Sequence, residues 1–320
     1  MSQAVASRAG ADRAVRAARP AKPPVDPWRA HGTAIDVERR PTGDAQRALT
    51  IFLAGAECRF TCVFCDLWRY TIDGPTPRGA LPRQIADSLA SHAGDALDRI
   101  KLYNASNFFD RHAVPIEDHA AIAELCAAFA GVTVESHAST IGPRVVDFAR
   151  RLDGRLEVAI GLESVHPAAM ARLGKRMTLD QFDRAADFLR ANDIDLRVFV
   201  LVGAPFVPRD ESLEWTVRTA EHAAKCGAAL VALIPVRGGN GEMERLASVG
   251  EFAPPRLLDI EHALDRCLEL APTVVTADLW DIERIAECAA CAAERRSRLA
   301  RINESGRPEP RITCAVCGGE

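Results

Sequence analysis

The chain has 320 residues, 48% of them hydrophobic and 26% charged, with a formal net charge of −4. That length supports one large α/β domain with extensions or two small domains. The slight acidity gives no global attraction to nucleic acid or to an anionic membrane, and no apolar run approaches the ~20 residues of a transmembrane helix.

The first 22 residues are rich in Ala and Arg, carry five basic residues against Asp12, and lack the continuous apolar stretch of a secretory signal. Residues 1–45 are therefore expected to form a disordered or irregular arm, and the protein to be cytoplasmic. Short apolar, β-branched runs then alternate with amphipathic stretches. The runs fall at 49–55, 99–103, 132–136, 156–162, 196–202 and 229–235, and the helical stretches at 82–93, 118–130, 143–152, 179–191, 211–226 and 255–270. In the fourth helical stretch Phe182, Ala185, Ala186 and Leu189 recur at helical spacing and mark one buried face. Six strand–helix units in succession imply a parallel sheet with right-handed crossovers, as a doubly wound sheet or as a curved barrel.

Seven of the ten cysteines fall in two tight groups. Without an export signal this pattern favours metal over cystine. The remaining three, Cys126, Cys226 and Cys267, lie in helical stretches among Ala and Leu and read as buried structural thiols. The first group, Cys58, Cys62 and Cys65, follows directly on the first strand. Three thiolates within eight residues can converge on one centre, and they leave one coordination position open for a small molecule.

Cys-x3-Cys-x-aromatic-Cys at the end of a first barrel strand, with Phe64 in the aromatic position, resembles the signature of the radical S-adenosylmethionine (SAM) superfamily. The likeness runs from about residue 50 to 270 and is nearest the branch of the elongator catalytic subunit, tRNA methylthiotransferases and coproporphyrinogen-type radical enzymes. It implies a partial (β/α)6 TIM-like barrel over residues 46–275, with a short Cys-rich metal-binding extension over 276–320. It also implies a [4Fe–4S] cluster on Cys58, Cys62 and Cys65. SAM would bind the open iron and be cleaved reductively to a 5′-deoxyadenosyl radical that abstracts hydrogen from substrate. The expected partners are a one-electron reductant such as flavodoxin or ferredoxin and a small-molecule, peptide or tRNA substrate, with no membrane. The competing reading is a non-catalytic zinc scaffold or RNA-binding adaptor.

The resemblance also assigns residues. Phe64 would lie beside the adenine, Glu163 would accept the ribose hydroxyls, Arg176 would pair with the SAM carboxylate with Lys175 as its competitor, and Gly203 would let the backbone approach adenine. The family's Gly-Gly-Glu-like motif after the second strand is missing. The chain reads Tyr103-Asn104-Ala105-Ser106 there, so Asn104, Ser106 or backbone carbonyls would receive the SAM amino group. Glu135 and His137 point to the same rim, Arg237 and Asn240 are substrate-side candidates, and Trp68 would shield the cluster from water.

The second group, Cys288-x2-Cys291 and Cys314-x2-Cys317, supplies four thiolates, which suits a closed zinc site or an auxiliary iron–sulfur cluster. Between the pairs lie six arginines (295, 296, 298, 301, 307 and 311), a stretch able to touch RNA phosphates or to form a solvated helix face.

Overall fold

The computed structural model describes residues 2–318. A helix α1 (Ser2–Ala18) precedes strands β1 (Gly32–Arg39) and β2 (Ala45–Phe52). Then come α2 (Ala80–Ser91), β3 (Arg99–Tyr103), α3 (His119–Leu125), β4 (Gly131–Ser136), α4 (Pro143–Ala149) and β5 (Arg155–Glu163). Helices α5 (Pro167–Arg172) and α6 (Leu179–Ala191) lead to β6 (Asp195–Val202), α7 (Ser212–Lys225) and β7 (Leu230–Pro235). The chain ends with α8 (Glu242–Ser248), α9 (Leu257–Cys267), β8 (Val274–Ala277) and α10 (Ala292–Ser305). No helix among the described residues is long and apolar enough to cross a membrane.

All eight strands form one sheet whose order is the chain order. A doubly wound sheet reverses its strand order at a switch point. Here every crossover reaches the next neighbour, so the sheet curls into an incomplete barrel. Strands β2 to β8 run parallel, and β1 pairs antiparallel with β2, from Gly32↔Phe52 to Arg39↔Ala45. The six expected strands are present as β2 to β7, and β1 and β8 are additions at the two edges. The expectation of an irregular arm over residues 1–45 is corrected: α1 and β1 lie there. In β1 the charges of Asp36 and Glu38 disguise a strand whose inward side chains find cationic partners across the barrel, Lys101 and Arg197.

The strands are two-faced. Leu49, Ile51, Ile100, Leu102, Val132, Val134, Val158, Ile160, Val198 and Val200 are buried in the continuous apolar core against the helices. The intervening positions include Lys101, Thr133, Glu157 and Arg197, all buried and polar. Glu157 accepts from Arg40 (2.8 Å), Arg197 (2.8 Å) and Thr133 (2.9 Å), while Glu38 accepts from Arg197 and Lys101. Where many barrels pack branched aliphatics inside, this one packs a charge network near the N-terminal ends of its strands.

Helix α6 spans residues 179–191, as its periodicity predicts, and buries Phe182, Ala185, Ala186 and Leu189. Thr178 and Gln181 close a reciprocal capping box at its start, which fixes the entry point. The two sheet edges do not pair. Helix α10 lies against both β1 and β8, and its Asn303 side chain bonds the N–H and C=O of Ala277 at 2.8 Å each. A side-chain amide thus does for the β8 edge what a ninth strand would do.

Candidate active site at the barrel mouth

The cysteine loop leaves β2 at the C-terminal face of the barrel, where folds of this kind build their sites. Several contacts fix its path. Gln84 of α2 accepts from the Ala54 N–H (2.8 Å) and donates to the Ala54 carbonyl (2.9 Å). Thr76 accepts from the Ala56 N–H (2.8 Å) and donates to the Ala113 carbonyl (2.7 Å). The buried Asn240 donates to the carbonyls of Val63 (2.8 Å) and Cys65 (3.2 Å) while accepting from the Met243 N–H (2.9 Å). Asn240, read as a substrate-side candidate, therefore clamps the cysteine loop instead. Gly174, at φ +76°, presses on this loop so closely that a Cβ would stand 2.5 Å from the Thr61 carbonyl oxygen.

Burial pushes the thiols of Cys58, Cys62 and Cys65 up, that of Cys65 to about 12. They can act as ligands only where a strongly cationic centre displaces their protons. Asn107 donates to Cys58 Sγ (3.3 Å), as does the Phe60 N–H (3.5 Å). Phe60 stacks on His137 with ring centroids 4.1 Å apart. His137, held neutral by burial at about 4, bonds the Lys175 carbonyl through Nε2 (3.0 Å). Lys175 is half-buried among charges: its Nζ donates to Glu163 (2.6 Å), and it acts electrostatically on Cys62 and Cys58. Gly161 makes room for this pair, since a Cβ there would lie 2.5 Å from Lys175 Nζ.

Next to the loop two side chains keep polar atoms without partners. Asn104 is fully buried, and neither of its amide atoms has a hydrogen bond. Glu135 keeps Oε1 without a partner, and burial pushes its carboxyl up to about 7, although the N–H groups of Ala105, Asn104 and Ser106 favour the anion. Phe64 packs into a second apolar cluster with Val63, Leu173, Leu201 and Ala204. Trp68 is buried beneath the guanidinium groups of Arg19 (4.8 Å) and Arg69 (5.3 Å).

Two expected residues are placed elsewhere. Arg176, at φ +57°, pairs with Asp12 of α1, whereas Lys175 is the cation whose charge acts on the thiols of Cys62 and Cys58. Gly203, at φ +75°, has its open side filled by Pro255, whose ring would lie 2.9 Å from a Cβ, so its freedom serves packing there. Arg237 pairs with Asp278 (3.0 Å) and with the Trp280 carbonyl. Helix α1 is the part that pattern reading missed. Asp12 accepts from Thr61 beside Cys62, Arg19 pairs with Glu57 (2.8 Å), and Val15 is buried in the apolar cluster that holds Val63.

At the far end, Cys288 Sγ lies 3.9 Å from Cys314 Sγ, and Cys291 Sγ lies 3.9 Å from Cys317 Sγ. Among the described residues, this quartet and the trio Asp183, His222 and Cys226 bring their ligand atoms within 4.8 Å of one another. The trio satisfies itself by hydrogen bonds, with His222 Nε2 and Asp183 2.7 Å apart. Cys126 and Cys267 are buried thiols, and Cys226 is only half-buried, beside that pair. The arginine stretch is largely neutralised within the fold. Arg295 and Arg298 pair with Glu261, Arg298 and Arg311 with Asp265, Arg296 with Glu283, and Arg301 with Glu309.

No family model matches the chain. An uncharacterized protein of Methanocaldococcus jannaschii is 23% identical over 241 residues, covering 68% of this chain and 64% of that protein. Among solved structures, archaeal Elp3 from Methanocaldococcus infernus superposes with a TM-score of 0.53 at 12% identity, covering 74% of this chain and 61% of Elp3. Streptococcus suis SuiB bound to S-adenosylmethionine superposes with a TM-score of 0.50 at 10% identity, covering 70% of this chain and 46% of SuiB. The chain thus spans less than two thirds of the length of each of these proteins. The likeness is one of architecture: the chain has the incomplete, parallel (β/α) barrel of Elp3 and SuiB, carrying a four-cysteine group beyond it.

Proposed function

We propose that the protein is a radical SAM enzyme whose active site is the mouth of this barrel. The observation that carries the reading is the convergence, around one loop at the end of β2, of three half-buried thiols with the Lys175–Glu163 pair, the free Oε1 of Glu135 and the unpartnered Asn104 amide. A zinc scaffold has no use for that polar surround, whereas an amino-acid sulfonium ligand does. Its ammonium group fits Glu135 Oε1 and the Asn104 amide oxygen, and its carboxylate fits Lys175. The bound SAM of the SuiB structure belongs to the same fold and supports this choice of ligand.

The residues fit the cofactors by donor chemistry. Cys58, Cys62 and Cys65 would hold a [4Fe–4S] cluster, which, with SAM bound and one electron from a ferredoxin- or flavodoxin-type donor, supplies a 5′-deoxyadenosyl radical for hydrogen abstraction. The chain's own residues position and protect. Glu135, on β4, would stand in for the carboxylate that the loop after β3 lacks. Glu163, now bonded to Lys175, would hold the ribose hydroxyls, and Trp68 and Phe64 would keep water from the loop.

The test is anaerobic reconstitution with iron and sulfide, followed by SAM and dithionite and mass-spectrometric assay of 5′-deoxyadenosine. Wild type is expected to form it, and the Cys58→Ala/Cys62→Ala/Cys65→Ala variant is not. Zinc in place of iron on this loop would overturn the reading, as would a reducible cluster that leaves SAM intact.

A further inference from the structure

The four cysteines beyond the barrel can be assigned from their spacing. We infer that Cys288, Cys291, Cys314 and Cys317 bind one tetrahedral divalent ion of the zinc class, and that this ion locks α10 across the open seam of the barrel. This inference does not rest on the radical SAM reading.

Four thiolates at the Zn–S distance of ~2.3 Å around one tetrahedral ion stand about 3.8 Å from each other. Two of the four cross-pair distances, Cys288–Cys314 and Cys291–Cys317, are 3.9 Å, and all four sulfurs lie within 4.8 Å. In an iron–sulfur cube each thiolate binds its own iron atom, so the sulfurs must stand farther apart than ligands of a common ion. The loop at the barrel mouth makes the comparison internal, because Cys58, Cys62 and Cys65 do not draw together to 4.8 Å. Nor is 3.9 Å a disulfide, which needs ~2.05 Å.

The surroundings are those of a built ligand set. Backbone N–H groups of Val316 and Cys317 point at Cys314 Sγ, in a turn closed by the Gly318 N–H to the Cys314 carbonyl (2.9 Å) with Gly318 at φ +63°. On the opposite pair, the buried Arg295 donates to Cys291 Sγ (3.2 Å), and its guanidinium also holds Glu261 (2.5 Å) and the Ile312 carbonyl (2.8 Å). N–H donors of this kind spread the charge of a tetrathiolate and orient its sulfurs. Four protein ligands close the coordination sphere, which makes the ion structural.

The ion's mechanical effect follows from where its ligands sit. Cys288 and Cys291 open α10, and Cys314 and Cys317 end the segment that folds back along it. Arg298, fully buried, fastens that returning segment through the carbonyls of Pro310 (2.8 Å) and Glu309 (2.7 Å). Tying the two ends fixes α10, and α10 is what covers the edges of β1 and β8.

The experiment uses full-length protein purified from cells supplied with both iron and zinc. Iron, zinc and acid-labile sulfide are measured in wild type and in the Cys58→Ala/Cys62→Ala/Cys65→Ala variant. About one zinc per chain, retained in the variant without sulfide, is expected. The Cys314→Ser/Cys317→Ser variant is expected to lose that zinc and to show faster amide exchange in α10 and at the β1 and β8 edges. Should this variant fail to fold, a mercurial titration of wild type with a colorimetric zinc indicator gives the same answer, zinc appearing as the four thiols react. Iron with sulfide in the loop variant would overturn the inference, as would a metal-free quartet.

Discussion

At the residue scale, the adjacent cations Lys175 and Arg176 have opposite assignments. A run reading Gly174-Lys175-Arg176 offers two positive side chains one residue apart, and side-chain chemistry favours the guanidinium for a carboxylate fork. The backbone decides otherwise. Gly174 at φ +76° and Arg176 at φ +57° twist this segment so that Lys175 enters the barrel mouth while Arg176 meets Asp12 on α1. Lys175→Met is therefore expected to weaken SAM binding by about tenfold or more, the value of one charge-assisted contact in a buried site. Arg176→Ala removes a partly exposed ion pair and should change SAM affinity by no more than about twofold. Equilibrium dialysis with labelled SAM on cluster-loaded protein compares them. The reverse ranking would return the carboxylate to Arg176.

At the scale of elements, α1 and the residue after it are bound to the cysteine loop. Asp12 holds Thr61 and Arg176, Val15 enters the apolar cluster around Val63, and Arg19 covers Trp68 while pairing with Glu57. An element so placed excludes solvent from the thiols, and solvent access governs how fast oxygen destroys an exposed cluster. Deleting residues 2–22 is expected to speed the aerobic bleaching of the reconstituted chromophore several-fold, and Val15→Asp should act in the same direction. Unchanged bleaching in both, followed by absorbance in air-saturated buffer, would make α1 a passive appendage.

Two of the missed elements, β1 and α10, share one physical cause. Helix α6 and the cysteine loop were legible because their signals are local: a capping pair, a four-residue apolar face, and three thiols after a strand. Strand β1 and helix α10 were not, because their buried surface is charged. Glu38 is inside only because Arg197 and Lys101 come from β6 and β3, and Arg295 and Arg298 are inside only because α9 brings Glu261 and Asp265. Charges read as solvated until their partners, dozens of residues away, are known. Strand β8, four residues long, carries too little pattern to stand out.

At the scale of the whole molecule, these same charges make stability depend on pH. Burial raises the Glu157 carboxyl, but Arg197, Arg40 and Arg99 outweigh it and hold the group down to about 2, against an ordinary 4.5. The folded state thus binds this proton less readily than the unfolded chain. The stabilisation is complete above about pH 4.5 and is lost as the pH falls from there toward 2. His119, packed against Phe108, Phe109 and Phe148 and pushed down by burial to about 4, acts in the same direction at milder acidity. Its contribution is present above 6.5 and disappears as the pH falls through 4. Urea unfolding should therefore show stability declining in two stages below neutrality. Glu157→Gln leaves Arg40 and Arg197 partly uncompensated at the centre of the barrel and should cost about 3–5 kcal/mol at neutral pH. Glu38, held well below the usual carboxylate range by Arg197 and Lys101, still titrates in that network, so the variant should lose only the share of the lower stage that belongs to Glu157 while keeping the upper one. A variant that is destabilised yet retains the full decline below pH 4.5 would show that carboxylates other than Glu157, Glu38 of the same network among them, set the acid limit of this fold.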